Sequence, residues 1–215
     1  MQNRSILTPT LGIIAVLVAC TACSATQSSG ASTTAPTAPQ SEAPTPTATP
    51  TAEPLDPADP SSWTIDFAGV GPLTRGGSIS AESPGMSAFV DGSNTEACSL
   101  VVFDALAEDV PDIFAVPGAD LDTSDELVVS GNGKPAPFVT GSPTTEAGIG
   151  IGATEGELIA AYPEVASEPG PSPDTLKYSV TDGAGGYINF TVDPSRLVES
   201  IAISGSDLIP YEYCG

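Results

Sequence analysis

The stretch Gly148-Ile149-Gly150-Ile151-Gly152-Ala153-Thr154-Glu155-Gly156-Glu157-Leu158-Ile159-Ala160-Ala161-Tyr162-Pro163 reads as strand, turn and short helix, in that order. Thr154 and Glu157 stand at the T-x-x-E spacing of a capping box. In it, hydroxyl and carboxylate each take up a backbone amide that the first helical turn leaves without a partner. Leu158, Ile159, Ala161 and Tyr162 give the helix an apolar side, and Pro163 ends it. Gly156 in the first turn costs roughly 1 kcal/mol relative to Ala, so the helix must depend on packing. A phosphate-cradling loop also places glycines before a helix. The G-x-x-x-x-G-K-[S/T] pattern and a βαβ context are missing, however, and the glycines are read as a sharp turn.

The stretch has an echo. Shifted by 76 positions, Leu73, Gly76 and Ser78 fall on Ile149, Gly152 and Thr154. The same offset sets Met86 on Tyr162, Leu100 on Leu176, and Phe114 and Val116 on Phe190 and Val192. Near the end it shortens to 74, laying Leu127–Gly131 beside Ile201–Gly205. In the first copy the helix is damaged, because Ala81 stands where Glu157 stands and Pro84-Gly85 interrupts it. Short apolar runs bounded by Gly, Pro, Asp and Ser predict strands at Thr64–Phe67, Ser99–Asp104, Ile113–Val116, Leu127–Ser130, Leu176–Thr181, Tyr187–Val192 and Val198–Ser204. Thr181–Gly186 reads as a hairpin loop, and Pro194-Ser195-Arg196 as a turn into the last strand. The expected fold class is α+β. Two related halves, residues 63–140 and 141–215, would each pack a short helix on an antiparallel meander and share or continue one sheet.

The 215 residues include 27 acids, 5 bases and no histidine, a formal net charge of −22. Such a polyanion is a poor partner for nucleic acid or for an anionic lipid surface. With no histidine, and only Cys98 and Cys214 outside the N-terminal segment, zinc ligation is not expected.

Met1–Arg4 is weakly basic and Ile6–Ala19 mostly apolar, the size of a signal-peptide core rather than a membrane span. It ends in Leu17-Val18-Ala19-Cys20, which resembles the lipobox of bacterial lipoproteins. That resemblance implies cleavage after residue 19, a diacylglyceryl group on Cys20, and stable anchoring by two or more acyl chains. Cys23 is the weaker acceptor, since Cys20 rather than Leu stands three places before it. Cleavage would leave 27 acids and 4 bases, a net of −23. Residues 24–62 are nearly all Ala, Thr, Ser, Pro and Gln, too poor in apolar surface to fold. Residues 20–62 are therefore expected to form a lipid-anchored tether. As a coil its 39 residues after Cys23 would span about 30–40 Å, and as polyproline II about 120 Å.

Ile151-Gly152-Ala153-Thr154 with Glu157-Leu158, and more weakly Arg75-Gly76-Gly77-Ser78, resemble a module of bacterial lipoproteins. It is similar to the β-lactamase-inhibitor-protein-like and outer-membrane-assembly-lipoprotein (BamE/SmpA-like) group, with the tandem arrangement closer to the inhibitor protein. The resemblance spans residues 65–205 and implies a sheet with helices on one face and a role in protein binding. It carries over no inhibitory residue.

Residues with chemical potential are few. In an exported chain Cys98 and Cys214 are expected to form a disulfide. Asp120-Leu121-Asp122-Thr123-Ser124-Asp125-Glu126 begins like a calcium loop, but Asp125 holds the sixth position and Gly131 the twelfth. Asp120, Asp122 and Asp125 remain weak metal candidates. Glu155/Glu157 and Glu108/Asp109 could serve acid–base catalysis, although nothing distinguishes them from surface acids. A Ser-His-Asp triad is excluded by composition. Neither Lys134 nor Lys177 follows serine at S-x-x-K spacing. Asn189-Phe190-Thr191 matches a glycosylation sequon inside a predicted strand and is taken as chance. Trp63 and Tyr211-Glu212-Tyr213 are the aromatic candidates for a contact surface, with cover for the edge of the core as the equal alternative.

The expectation is a non-enzymatic envelope lipoprotein on the outer face of the cytoplasmic membrane, binding another envelope protein or a basic peptide. It needs no cofactor. The alternatives are an envelope receptor for a small ligand or divalent cation and, further off, a hydrolase. The Thr/Pro tether and Ala/Gly-rich composition lean towards a Gram-positive, high-GC bacterium.

Overall fold

The computed structural model describes residues 55–93, 98–131 and 140–214, all within the unit Pro50–Gly215. The signal segment, Cys20, Cys23, Lys134 and the tether as far as residue 54 lie outside the described residues. Folding begins earlier than composition suggests. Residues 55–62, assigned above to the tether, belong to the folded unit. Asp59 caps a 3-10 turn at Pro60–Ser62, Pro60 is buried, and the Asp56 carbonyl accepts from Trp63 Nε1 at 2.7 Å. An Asp cap with proline at the first helical position is a local start signal that a count of prolines and serines misses.

Among the described residues, twelve strands and two α-helices follow. In chain order they are β1 (Thr64–Ile65), β2 (Gly69–Val70), β3 (Leu73–Thr74), α1 (Ile79–Glu82), β4 (Phe89–Asp91), β5 (Val101–Ala105), β6 (Asp112–Pro117), β7 (Ser124–Ser130), β8 (Thr144–Thr145), α2 (Glu155–Ala161), β9 (Ser167–Pro169), β10 (Leu176–Thr181), β11 (Tyr187–Val192) and β12 (Val198–Ser204). The α+β expectation holds at this level, with far more sheet than helix. One sheet has eight strands in the order β4-β5-β6-β7-β12-β11-β10-β9; the other has four in the order β3-β2-β1-β8. The large sheet is antiparallel at every pairing given, while β1 runs parallel to β8.

Residues directly opposite one another share a face. The register sets Val102, Phe114, Val128, Ala202, Asn189 and Ser179 in one row on the outer face. Ile113, Ala115, Leu127, Val129, Ile201, Ile203, Ile188 and Phe190 point inward and join one core with Trp63, Ile65, Leu73, Ile79 and Leu158. The small sheet and both helices therefore cover the inner face. Burying one such side chain contributes about 1.5–3 kcal/mol, which is how a helix of seven residues with a glycine in its first turn persists.

Two expectations need correction. Trp63 is not a surface aromatic: it is 1% exposed, and its ring lies 5.7 Å from Phe89. Its indole satisfies its only donor through the Asp56 carbonyl, so the whole ring can enter the core at no hydrogen-bonding cost. The offset of 76 also fails in the strands. Phe114 stands opposite Val128 on the outer face, while Phe190 stands opposite Ile201 on the inner face. Because side chains alternate, a slip of one residue inverts the face.

Candidate binding surfaces

The opening stretch folds as its cap predicts. Thr154 Oγ1 accepts from the Glu157 amide at 3.2 Å, and Glu157 Oε2 accepts from the Thr154 amide at 2.8 Å and its hydroxyl at 2.7 Å. The backbone bond from Thr154, then its hydroxyl, holds the Glu157 carboxyl below its usual pKa. Gly152 takes a φ of 86°, open to glycine at no steric cost. This lets its amide donate to the Val198 carbonyl at 2.8 Å. Between the turn and α2 lies an open cleft of about 700 Å³, lined by Gly148–Thr154, Glu157, Ala160 and Ala161 together with Ser142, Thr144 and Ala147. A phosphate would meet the Glu157 carboxylate on the cap amide, so the cleft is unsuited to an anion.

Beside the cap, Glu155 joins two other elements. Tyr178 Oη donates to Glu155 Oε1, and Arg196 Nη1 donates to both carboxylate oxygens at 2.8 and 3.0 Å. Desolvation first, and the bond to Glu155 second, raise the Tyr178 phenol. Glu155 and Glu157 thus serve different tasks and do not form an acid–base pair. Of Glu108 and Asp109, the latter accepts from the Thr140 hydroxyl at 3.2 Å.

The three aspartates with calcium-like spacing do not converge. Asp120 accepts from the Asp122 and Thr123 amides and the Thr123 hydroxyl, bonds that bring its pKa down to about 2. Asp122 instead caps α1 through the Ser78 hydroxyl and the Ser80 amide. Asp125 lies over Gly118. Among the described residues, no three acidic or cysteine side chains are grouped to hold a metal. Asn189 is fully buried. Its side chain accepts from the Ser179 hydroxyl at 2.7 Å and donates to the Ser206 carbonyl at 2.9 Å, which leaves the sequon no surface.

Cys98 and Cys214 are joined by a disulfide, with Cα atoms 5.3 Å apart. It fixes one end of the C-terminal segment, and three further bonds seat the rest against the outer face. Asn189 holds Ser206, Lys177 Nζ donates to the Asp207 carbonyl at 2.7 Å, and Tyr213 Oη donates to Glu126 Oε1 at 2.7 Å. Burial, opposed by the Tyr213 bond, raises the Glu126 carboxyl. Burial and the Glu126 charge push the Tyr213 phenol well up. Between these clamps Leu208 is 72% and Tyr211 67% exposed. Tyr211 is thus the surface aromatic expected, whereas Tyr213 is an anchor. Lys177 escaped sequence reasoning. It is buried, pairs with Glu168 at 2.8 Å, and betrays itself in sequence only as the one charge in the strand Leu176–Thr181.

A smaller cleft of about 310 Å³ opens where β1, the turn after β8, the end of α2 and the β10–β11 hairpin meet. Phe67, Tyr162, Val180 and Ile188 line it together with two exposed acids, Asp66 and Glu146.

No family model and no curated protein matches this chain. Among solved structures it is similar to the crystal structure of a DUF4309 family protein (YjgB) from Bacillus subtilis subsp. subtilis str. 168. The identity is 12%, the match covers 71% of this chain and 94% of that one, and the TM-score is 0.45.

Proposed function

We propose that this chain is a cell-envelope lipoprotein, anchored through Cys20 on the outer face of the cytoplasmic membrane. Its folded unit binds a basic envelope protein or peptide and catalyses no reaction. The observation that carries the reading is the doubly clamped C-terminal loop. Leu208 and Tyr211 are held out between the acidic residues Asp207 and Glu212 by anchors on both sides. A loop fixed in one conformation loses little entropy on docking, and an exposed aromatic beside an aliphatic side chain is typical of a contact centre. Charge supports a cationic partner. Two of the three cations among the described residues already pair with carboxylates: Lys177 with Glu168 and Arg196 with Glu155.

The same reading includes an origin by internal duplication. In its support, β7 and β12 pair about Val128 and Ala202, so that Leu127 meets Ile203 and Val129 meets Ile201. That is the register two copies offset by 74 adopt around a twofold axis. Gly76 donates to Ser124 as Gly152 donates to Val198, and Ile79 to Asp122 as Glu155 to Arg196. The strands β6 and β11 shift register at Val116/Pro117 and at Thr191/Val192.

The test is co-purification from membranes of the parent organism, using the wild-type chain, a Leu208→Ser/Tyr211→Ser variant and a charge-matched unrelated lipoprotein. A protein retained by the wild type, lost by the variant and absent from the control is expected. Equal retention by all three would refute the reading.

A further inference from the structure

The cleft beside β1 combines an apolar wall with two exposed acids, and it lies apart from the C-terminal loop. Ile188 is 3% exposed and Val180 partly buried, whereas Asp66 and Glu146 are exposed. At about 310 Å³ it stands at the small end of ligand clefts, which run to about 1,000 Å³. Two aromatic rings, Phe67 and Tyr162, form part of its wall. Tyr162 is steadied by Phe190, 5.6 Å away. An apolar wall asks for an aliphatic body, and a ring face beside a carboxylate asks for a cation, which the ring quadrupole and the charge attract together. An anion is disfavoured by both acids, and a neutral alkane would leave them without a counter-charge. The Asp66 carboxylate already accepts from the Ala68 and Gly69 amides, so Glu146 is the freer charge. Arg75 comes close enough to donate to the Phe67 carbonyl at 3.4 Å, but its guanidinium lies over Gly205 and acts on Asp182.

We infer that this cleft is a binding site for an alkylammonium group, with the aliphatic stem against Val180 and Ile188 and the cationic head between Phe67, Tyr162 and Glu146. Two sources present that chemistry: a lysine side chain of a bound peptide, or a free organic cation. The site does not depend on Leu208 or Tyr211, so its failure and that of the loop reading are separable.

The experiment is methyl-detected NMR titration of the full chain with n-butylammonium, Nα-acetyl-lysine methylamide, tetramethylammonium and neutral n-butanol. The two butyl compounds share a shape and differ in charge. Shifts confined to the Val180 and Ile188 methyls, saturable with the cations and weak with butanol, are expected. Phe67→Leu keeps the apolar wall and removes the ring face, and should weaken butylammonium by roughly two- to fivefold. Glu146→Gln should weaken it by a similar factor at low salt. Tighter binding of the lysine amide assigns the site to a peptide, and tighter tetramethylammonium to a free cation. Equal binding of butanol and butylammonium would overturn the inference. So would shifts spread over the acidic surface, or a Glu146→Gln variant that binds as well as the wild type.

Discussion

Replacing Cys98 and Cys214 by serine removes a crosslink between residues 116 positions apart. In the chain-entropy model the denatured ensemble regains about 16 cal/mol/K for a loop of that length, or roughly 5 kcal/mol at 25 °C. How much of this appears depends on the native state. The C-terminal segment keeps three other anchors: Asn189 to Ser206, Lys177 to Asp207 and Tyr213 to Glu126, at 2.9, 2.7 and 2.7 Å. If they hold, the folded state gains little freedom and the loss approaches its full value, about 4–5 kcal/mol. Against a domain stability of about 5–15 kcal/mol this is a third or more of the total. Urea titration of both forms should give a much lower midpoint for the variant. Amide exchange should find residues 206–213 still protected. A loss below about 1 kcal/mol with that protection intact would refute the entropic argument. A small loss with the segment unprotected would instead refute the three anchors.

Three further substitutions and one pH dependence follow from particular contacts. Thr191 Oγ1 is buried without a hydrogen-bond partner among the described residues, so Thr191→Val should stabilise the fold by about 1 kcal/mol and raise the urea midpoint accordingly. A lower midpoint would mean that the hydroxyl is satisfied after all. Thr154→Ala breaks the capping box and should cost about 1 kcal/mol by thermal unfolding. Leu158→Ala, at a fully buried position, should cost about 2–5 kcal/mol, and a milder loss would show that α2 is only loosely docked. The pH dependence has two signs. Glu126 has a raised folded pKa, so its contribution is fully present below its unfolded value near 4.5 and is lost as pH rises through the folded value. Glu126→Gln should therefore match the wild type near pH 4 and be no less stable at pH 7. Asp120 is lowered to about 2, so its contribution is present above an unfolded value of about 4 and is lost as pH falls towards 2. Asp120→Asn should flatten the acid limb of a stability–pH curve.

The sequence carried the second half of the fold well. The boundaries of β10, β11 and β12 fell where short apolar runs and their flanking turn residues put them, because runs rich in β-branched and aromatic residues, set off by Gly, Pro, Asp and Ser, specify a strand locally. The cap of α2 was legible for the same kind of reason, since two side chains at fixed spacing specify their own geometry. What failed was whatever depends on distant partners. A strand was expected at Thr64–Phe67 and β1 lies within it, but the two-residue strands β2, β3 and β8 have no period to detect, and only their pairing defines them. Face assignment failed for Phe114, since an internal match between aromatics ignores parity. Burial of Trp63 could not be read because its acceptor is a backbone carbonyl seven residues upstream. The cleft beside β1 gathers Asp66, Glu146, Tyr162 and Ile188 from four separate places in the chain, and no local pattern brings them together.

The position of β1 bears on how the folded unit takes a load. Beyond the capped turn at Pro60–Ser62, the chain continues into a strand bonded on both sides, to β2 and to β8, with Trp63 and Ile65 sunk in the core just there. Tension arriving from upstream therefore meets interior bonds in two directions at once, instead of peeling away a margin strand one rung at a time. Past that short turn, a pull on this end is resisted from inside the fold and not at its rim.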